Sequence, residues 1–259
     1  MRISATVITY NEEKHIKKCI DSLSKVADEI VVVDSFSTDQ TESICRSYEK
    51  VRFIENRFEG YVEQKQFGIE QAVYDWIISL DGDECLSDRL IQEIREIKQG
   101  PASCSQAYSM PRLNNYCGRW IRHGAWYPDR KIRFWNRRSG SWGGTNPHDT
   151  VVLHEGTRAK KLNGDILHYT IPNLDAHVEQ SNKFSGIAAQ ELVKSGSSQC
   201  ATFKLIFNPP FVFLKHYFLK LGFLDGFYGF TIAFISAHSK FLKYAKYIHL
   251  ISKNEDSSS

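Results

Sequence analysis

Three carboxylates stand around one glycine at Asp81-Gly82-Asp83-Glu84, directly after the mostly apolar run 76–80. That run reads as a buried strand, so the acids fall where the chain leaves a sheet. Like charges so close disfavour joint ionisation unless a cation sits among them. A hard divalent cation, Mn²⁺ or Mg²⁺, takes oxygen ligands and can bridge to substrate phosphates, which makes Asp81 and Asp83 candidate metal ligands. An acidic turn capping a helix that starts near Ser87 is the plainer alternative. Asp34 closes a second apolar run, and Asp149 follows the glycine-rich Trp142-Gly-Gly-Thr-Asn-Pro-His. The span 116–144 mixes Trp, Arg and Gly, with Arg130 and Arg133 as candidate phosphate contacts. Such a mixture also suits single-stranded nucleic acid, but the acidic clusters would repel a phosphate backbone, so a sugar acceptor is favoured.

The elements that must position these residues alternate. Strands read at 3–9, 29–34, 51–54 and 76–81, and helices at about 12–23, 37–48 and 62–72. Asn11 reads as the N-cap of the first helix. This alternation predicts an α/β fold, a parallel sheet with helices on both faces. In such sheets ligands bind beyond the carboxyl ends of the strands, where Thr9-Tyr10-Asn11, Asp34 and Asp81-Gly-Asp83 all fall. Neither G-x-G-x-x-G nor a P-loop follows the first strand, which disfavours dinucleotide and P-loop chemistry. A nucleophile elbow, G-x-S-x-G, is missing too.

At 259 residues the chain can bury a full core. The formal charge of +3 is uneven: residues 203–259 carry +4 and the rest −1. Nucleic acid is therefore not indicated as a partner. The six cysteines form no C-x-x-C pair and read as reduced thiols. The first apolar run is too short for a signal peptide, so a cytoplasmic location is expected. The helix expected over 173–195 stops at Gly196. Beyond it, 203–251 is aromatic and lysine-rich, with a break expected at Pro209-Pro210. An amphipathic segment lying on the anionic inner face of the cytoplasmic membrane fits this composition. Helices packed on the catalytic domain, or a homo-oligomer, are the alternative. The expected domains are 1–198, in halves 1–100 and 101–198, then a helical extension 199–253 and a disordered tail 254–259.

Three motifs together carry a resemblance: Val7-Ile-Thr-Tyr-Asn-Glu12, Val31-Val-Val-Asp-Ser-Phe-Ser-Thr-Asp39 and Leu80-Asp-Gly-Asp-Glu84. They resemble the nucleotide-sugar domain of family 2 glycosyltransferases. Gly60-Tyr-Val-Glu-Gln-Lys-Gln and Trp142-Gly-Gly-Thr-Asn-Pro-His148-Asp149 look like the bacterial lipopolysaccharide-core β-1,4-glucosyltransferase subgroup. The resemblance, over about residues 1–190, implies a GT-A fold, a Rossmann-like mixed sheet flanked by helices. It also implies a nucleoside-diphosphate sugar donor, a divalent metal, and inversion at the anomeric carbon; the donor expected is a UDP-sugar, UDP-glucose. A membrane-anchored glycolipid is the expected acceptor. A capsule precursor or protein acceptor is the alternative, and a non-catalytic nucleotide-sugar-binding membrane protein the rival of another class. By the same resemblance Thr9, Tyr10 and Glu12 line the base and ribose pocket, and Asp34 holds the nucleoside. Lys65 reaches the donor ribose or phosphate. Asp81 serves the ribose or the metal, Asp83 ligates the metal, and His168 is a third ligand. Asp149, where the subgroup usually has Glu, is the expected base.

Overall fold

The computed structural model describes residues 1–100, 106–145, 148–196 and 200–256. The chain divides into two compact units: Met1–Leu113 with Asp129–Tyr169, and Asn114–Pro128 with Thr170–Ser259.

The first unit opens with strand–helix alternation: β1 (Ile3–Thr9), α1 (Ile16–Leu23), β2 (Glu29–Asp34), α2 (Thr41–Arg46), β3 (Val51–Glu55), α3 (Tyr61–Glu70) and β4 (Trp76–Asp81). β1 lies between β2 and β4, and β3 flanks β2, all parallel. β1 and β2 are buried nearly throughout because helices cover both faces of a parallel sheet, which is why they are β-branched runs without alternation. Ile16, Cys19, Ile20 and Leu23 give α1 one buried stripe at helical spacing.

The chain continues through β5 (Glu84–Leu86), α4 (Asp88–Gln99), β6 (Ala107–Tyr116), β7 (Arg119–Ile121), β8 (Asp129–Asn136), β9 (Gly140–Thr145), β10 (His148–Leu153), β11 (Ala159–Lys161) and β12 (Ile166–Ile171). The sheet runs β3-β2-β1-β4-β8-β6-β12-β5, with β7 and β11 also on β6, while β9 and β10 form a separate hairpin. β8 is antiparallel to β4 and to β6, so the sheet is mixed, as the GT-A expectation has it, and not wholly parallel. α4 starts near Ser87, as expected, but its cap is Ser87 Oγ, which accepts from Leu90 N–H, and not the acidic turn.

Two helix starts differ from the sequence reading. Asn11 has φ 55°, and its Oδ1 accepts from Thr38 N–H instead of capping α1, which begins at Ile16. Ser37 N–H is taken by Asp34, and α2 begins only at Thr41. In both places polar side chains hold the loop open beyond the strand end, delaying the helix by several residues.

The second unit contains α5 (Leu174–Ser195), α6 (Ala201–Leu214) and α7 (Gly226–Asp256). Asn173 Oδ1 caps α5 at Ala176 N–H, and left-handed Gly196 ends it. The expected break at Pro209-Pro210 is not found: both prolines lie inside α6. Proline's fixed φ is compatible with a helix, but each ring removes an amide donor and crowds the carbonyl four residues back, so the pair weakens α6 without ending it. The break falls later, around left-handed Leu221. No single helix among the described residues is long and apolar enough to cross a membrane. The pair Ala201–Leu219 and Gly222–Lys253, bent by 73°, meets that length and composition only together. α5 thus belongs with the helices after it, whereas the sequence reading places it within 1–198. Of the expected tail, Ser257–Ser259 lie outside the described residues.

Candidate active site

Register brings the strand ends together. Thr9 pairs with Asp34 across β1 and β2, and Ile8 with Asp81 across β1 and β4. Gly82 N–H bonds back to the Ile8 carbonyl. A Cβ on Gly82 would stand 2.9 Å from Thr9 Oγ1 and 3.2 Å from Glu12 Cγ. Glycine is therefore what lets the acidic turn close against the end of β1.

Lys65 lies at the centre of the site. Only 2 % exposed, its ammonium lies 2.8 Å from Asp81 Oδ1 and 2.7 Å from Asp149 Oδ2. Arg133, also buried, reaches the same two carboxylates at 3.6 and 3.8 Å, and Glu84 at 3.8 Å. Both cations sit over the Trp142 ring, 4.8 and 4.9 Å from its centroid. Burial alone would raise the Asp81 carboxyl, but the charges of Lys65 and Arg133 override it and hold that group below the usual carboxylate range. Glu84, wholly buried, accepts from Asp81 N–H and pairs with Arg112, which in turn pairs with Asp129. Thr9 Oγ1, Arg133 Nε and Trp142 Nε1 are buried with no hydrogen-bond partner among the described residues. Buried polar atoms left so are costly, and a bound ligand's oxygens would satisfy them.

Asp149 comes to Lys65 from β10, whose residues pair with β9 so that Asp149 faces the bare backbone of Gly144. The expected glycine-rich turn is thus largely β-strand, and Asn146 and Pro147 of the motif lie outside the described residues.

Asp83 and His168 form a second group. β12 runs antiparallel to β5 with His168 opposite Glu84, which sets His168 Nε2 3.2 Å from Asp83 Oδ2. Burial lowers the affinity of the imidazole for a proton, yet its bond to Asp83 raises it overall. Glu12 lies in the same field: burial first, then the charges of Asp83 and Asp39, push its carboxyl up to about 7. No three His, Cys, Asp or Glu side chains among the described residues are grouped as a metal cage. Mg²⁺ and Mn²⁺ sites commonly use one or two protein donors completed by substrate phosphates, and Asp83 with His168 fits that donor set. Asp81 does not fit it as a direct ligand, since Lys65 and Arg133 occupy its oxygens.

A third group lies at the end of β2. Asp34 accepts from Ser37 N–H at 2.6 Å and Ser37 Oγ at 2.5 Å. Gln64 donates to Ser35 Oγ and accepts from Asn56. Thr9 borders this edge, buried, while Tyr10 is exposed beside it.

Two expected residues part company. Arg133 joins the cluster, but Arg130 bonds the backbone carbonyls of Ser109 and Leu162 instead. They are three apart on β8, but its pairing with β6 passes from Phe134 opposite Tyr108 to Ile132 opposite Ser109, so Arg133 is the extra residue of a β-bulge, which aims its side chain independently of Arg130. Sequence reasoning missed Arg112, Ser37 and the part played by Trp142 under the two cations. The only signal for Trp142 was its place beside two glycines.

The family model for "Glycosyl transferase family 2" matches residues 4–153. An uncharacterized glycosyltransferase of Rickettsia typhi is 33 % identical over 98 % of this chain and 89 % of its own length. The lipopolysaccharide core biosynthesis glycosyltransferase LpsC of Rhizobium meliloti is 30 % identical over 94 % of this chain and 93 % of its own. Among solved structures, S. aureus TarS in complex with UDP-GlcNAc aligns over 99 % of this chain and 92 % of that one, at 16 % identity and a TM-score of 0.45. The chain is a glycosyltransferase and belongs to glycosyl transferase family 2.

Proposed function

We propose that this glycosyltransferase moves a sugar, glucose by our reading, from a UDP-sugar onto a membrane-anchored glycolipid of the lipopolysaccharide core, with inversion. The observation that carries the acceptor reading is the relationship to LpsC along nearly the whole of both chains. The donor reading rests on the strand-end constellation: Thr9, Glu12 and Asp34 at the nucleoside, Asp81 toward the ribose, and Asp83 with His168 toward the diphosphate.

Asp83 and His168 would hold Mn²⁺ or Mg²⁺, which when bound neutralises charge on the diphosphate leaving group. Asp149 takes the acceptor hydroxyl proton as that oxygen bonds to the anomeric carbon and the bond to the diphosphate breaks. Its Oδ2 is on Lys65, so the proton goes to Oδ1. Lys65 and Arg133 orient Asp149 and Asp81, and stand beside the charge that develops on the diphosphate. Such a reaction works at the inner face of the cytoplasmic membrane.

The test is donor hydrolysis and transfer with a panel of nucleotide sugars, with and without Mn²⁺. Selective, metal-dependent turnover of one UDP-sugar is expected. Equal activity in excess EDTA would remove the metal, and turnover of a GDP- or ADP-sugar alone would remove UDP.

A further inference from the structure

The second unit carries a surface that the transfer reaction does not use. On α6, Phe203, Phe207 and Phe211 are exposed at steps of four, and on α7 Phe227, Phe234 and Phe241 are exposed at steps of seven. Both spacings keep side chains on one face of a helix. Each of the six is between 45 % and 66 % exposed. The opposite sides of these helices are already occupied. Phe213 of α6 packs on Phe230 of α7 at 5.6 Å, and Asn208 donates to Tyr244. Ile232, Ala233 and Ala237 of α7 are buried, and Lys246 bonds Asn182 and Ser185 of α5. The phenylalanine rows are therefore what remains, not a core left unfolded. Rows of exposed phenyl rings on helices already packed on their other sides mark a contact with a partner or a membrane.

Charge chooses between them. Residues 201–253 contain seven lysines and a single acid, Asp225. Asp225 is turned inward, accepting from the backbone N–H groups of Arg122 and His123. Lys215 and Lys220, between α6 and α7, and Lys240 of α7 are exposed. A second copy of this surface would set lysine against lysine. An anionic lipid leaflet accepts the lysines at its headgroups and the phenyl rings at the headgroup–acyl boundary.

We propose that the exposed phenylalanine rows of α6 and α7, with Lys215, Lys220 and Lys240, dock the protein into an anionic membrane surface without crossing it. Flotation of the full chain with phosphatidylcholine vesicles, with and without about one-third phosphatidylglycerol, tests this. Binding is expected only with the anionic lipid. The variant Phe227→Ser/Phe234→Ser/Phe241→Ser should reduce the bound fraction about tenfold with unchanged circular dichroism, because the rings are exposed. Phe234→Trp should be quenched by brominated acyl chains beyond the signal of the native tryptophans. Absence of flotation at low salt, or no quenching of Phe234→Trp, overturns the proposal. So does self-association in lipid-free buffer that the triple variant abolishes, which would assign the surface to a second copy. Hydrolysis of the soluble donor should be equal in wild type and the triple variant, so a failure here is distinct from a failure of the donor reading.

Discussion

One buried ammonium serves two carboxylates that are 16 and 84 residues away from it in the chain. Removing one partner of a buried pair leaves uncompensated charge, so Lys65→Met should cost about 3–5 kcal/mol in chemical denaturation. Combining it with Asp81→Asn should return part of that loss, since one of the stranded charges goes with it. Additive losses would mean that the two side chains do not share the charge. Asp149→Asn keeps shape but cannot accept a proton, and Asp81 still satisfies Lys65. Transfer should fall about 10²–10⁴-fold with donor affinity little changed, as for an interaction made only at the transition state. Near-normal transfer would place the base elsewhere. Glu12 gives a pH test. Its folded carboxyl titrates near 7 against 4.5 unfolded, so between those values the folded state holds a proton the unfolded state has released. Stability then falls as pH rises through that window. In chelator, Glu12→Gln should match wild type near about pH 4 and exceed it by roughly 1–2 kcal/mol near about pH 8, after discounting for partial exposure. Parallel curves would show that folding does not raise the Glu12 carboxyl.

At the scale of elements, the sequence announces some things plainly and hides others for a physical reason. β4 runs over Trp76–Asp81 as read, because an apolar strand ending in acids has no other way to be buried. The placement of Asp34 and Asp81 at one edge of the sheet followed from strand–helix alternation; that β2 and β4 flank β1 did not. The helix starts at Ile16 and Thr41 did not, because Asn11 and Thr41 bond across the two loops, while Asp34 holds Ser37 N–H locally. The Lys65–Asp149 pair was equally hidden, since it depends on where the β9–β10 hairpin lies against α3, and no local pattern encodes that. Arg130 was hidden as well, because the bulge that leaves Arg133 unpaired on β8 breaks strand parity, and no local pattern announces it. Gly82 is where element and site meet. Gly82→Ala should destabilise by about 1–3 kcal/mol, because Thr9 Oγ1 and Glu12 Cγ must both give way. An alanine variant with unchanged stability would show that the acidic turn can lift off β1.

At the scale of the whole chain, the boundary that looks natural in the sequence is not the one in the structure. Gly196 and the serines after it invite a cut near residue 198, yet α5 lies in the unit that also holds α6 and α7. The buried positions of α5 are His177, Ser181, Ser185 and Ala189, spaced by four, a narrow stripe of mostly small side chains. Small side chains let a neighbouring helix approach closely but supply little apolar area of their own. Lys246 of α7 closes that contact with three bonds, to the Asn182 carbonyl, Asn182 Oδ1 and Ser185 Oγ. A chain ending at residue 198 would keep α5 and lose the helix that covers it. An amphipathic helix with so little buried area is marginal by itself. Amide hydrogen exchange over residues 177–189 should therefore speed up by at least about 10²-fold on truncation. Exchange in β1, β2 and β4, whose cover is α1 and α3, should change little. Unchanged protection of α5 in the shortened chain would mean that its stability comes from elsewhere, and would restore the cut near 198 as a true domain boundary.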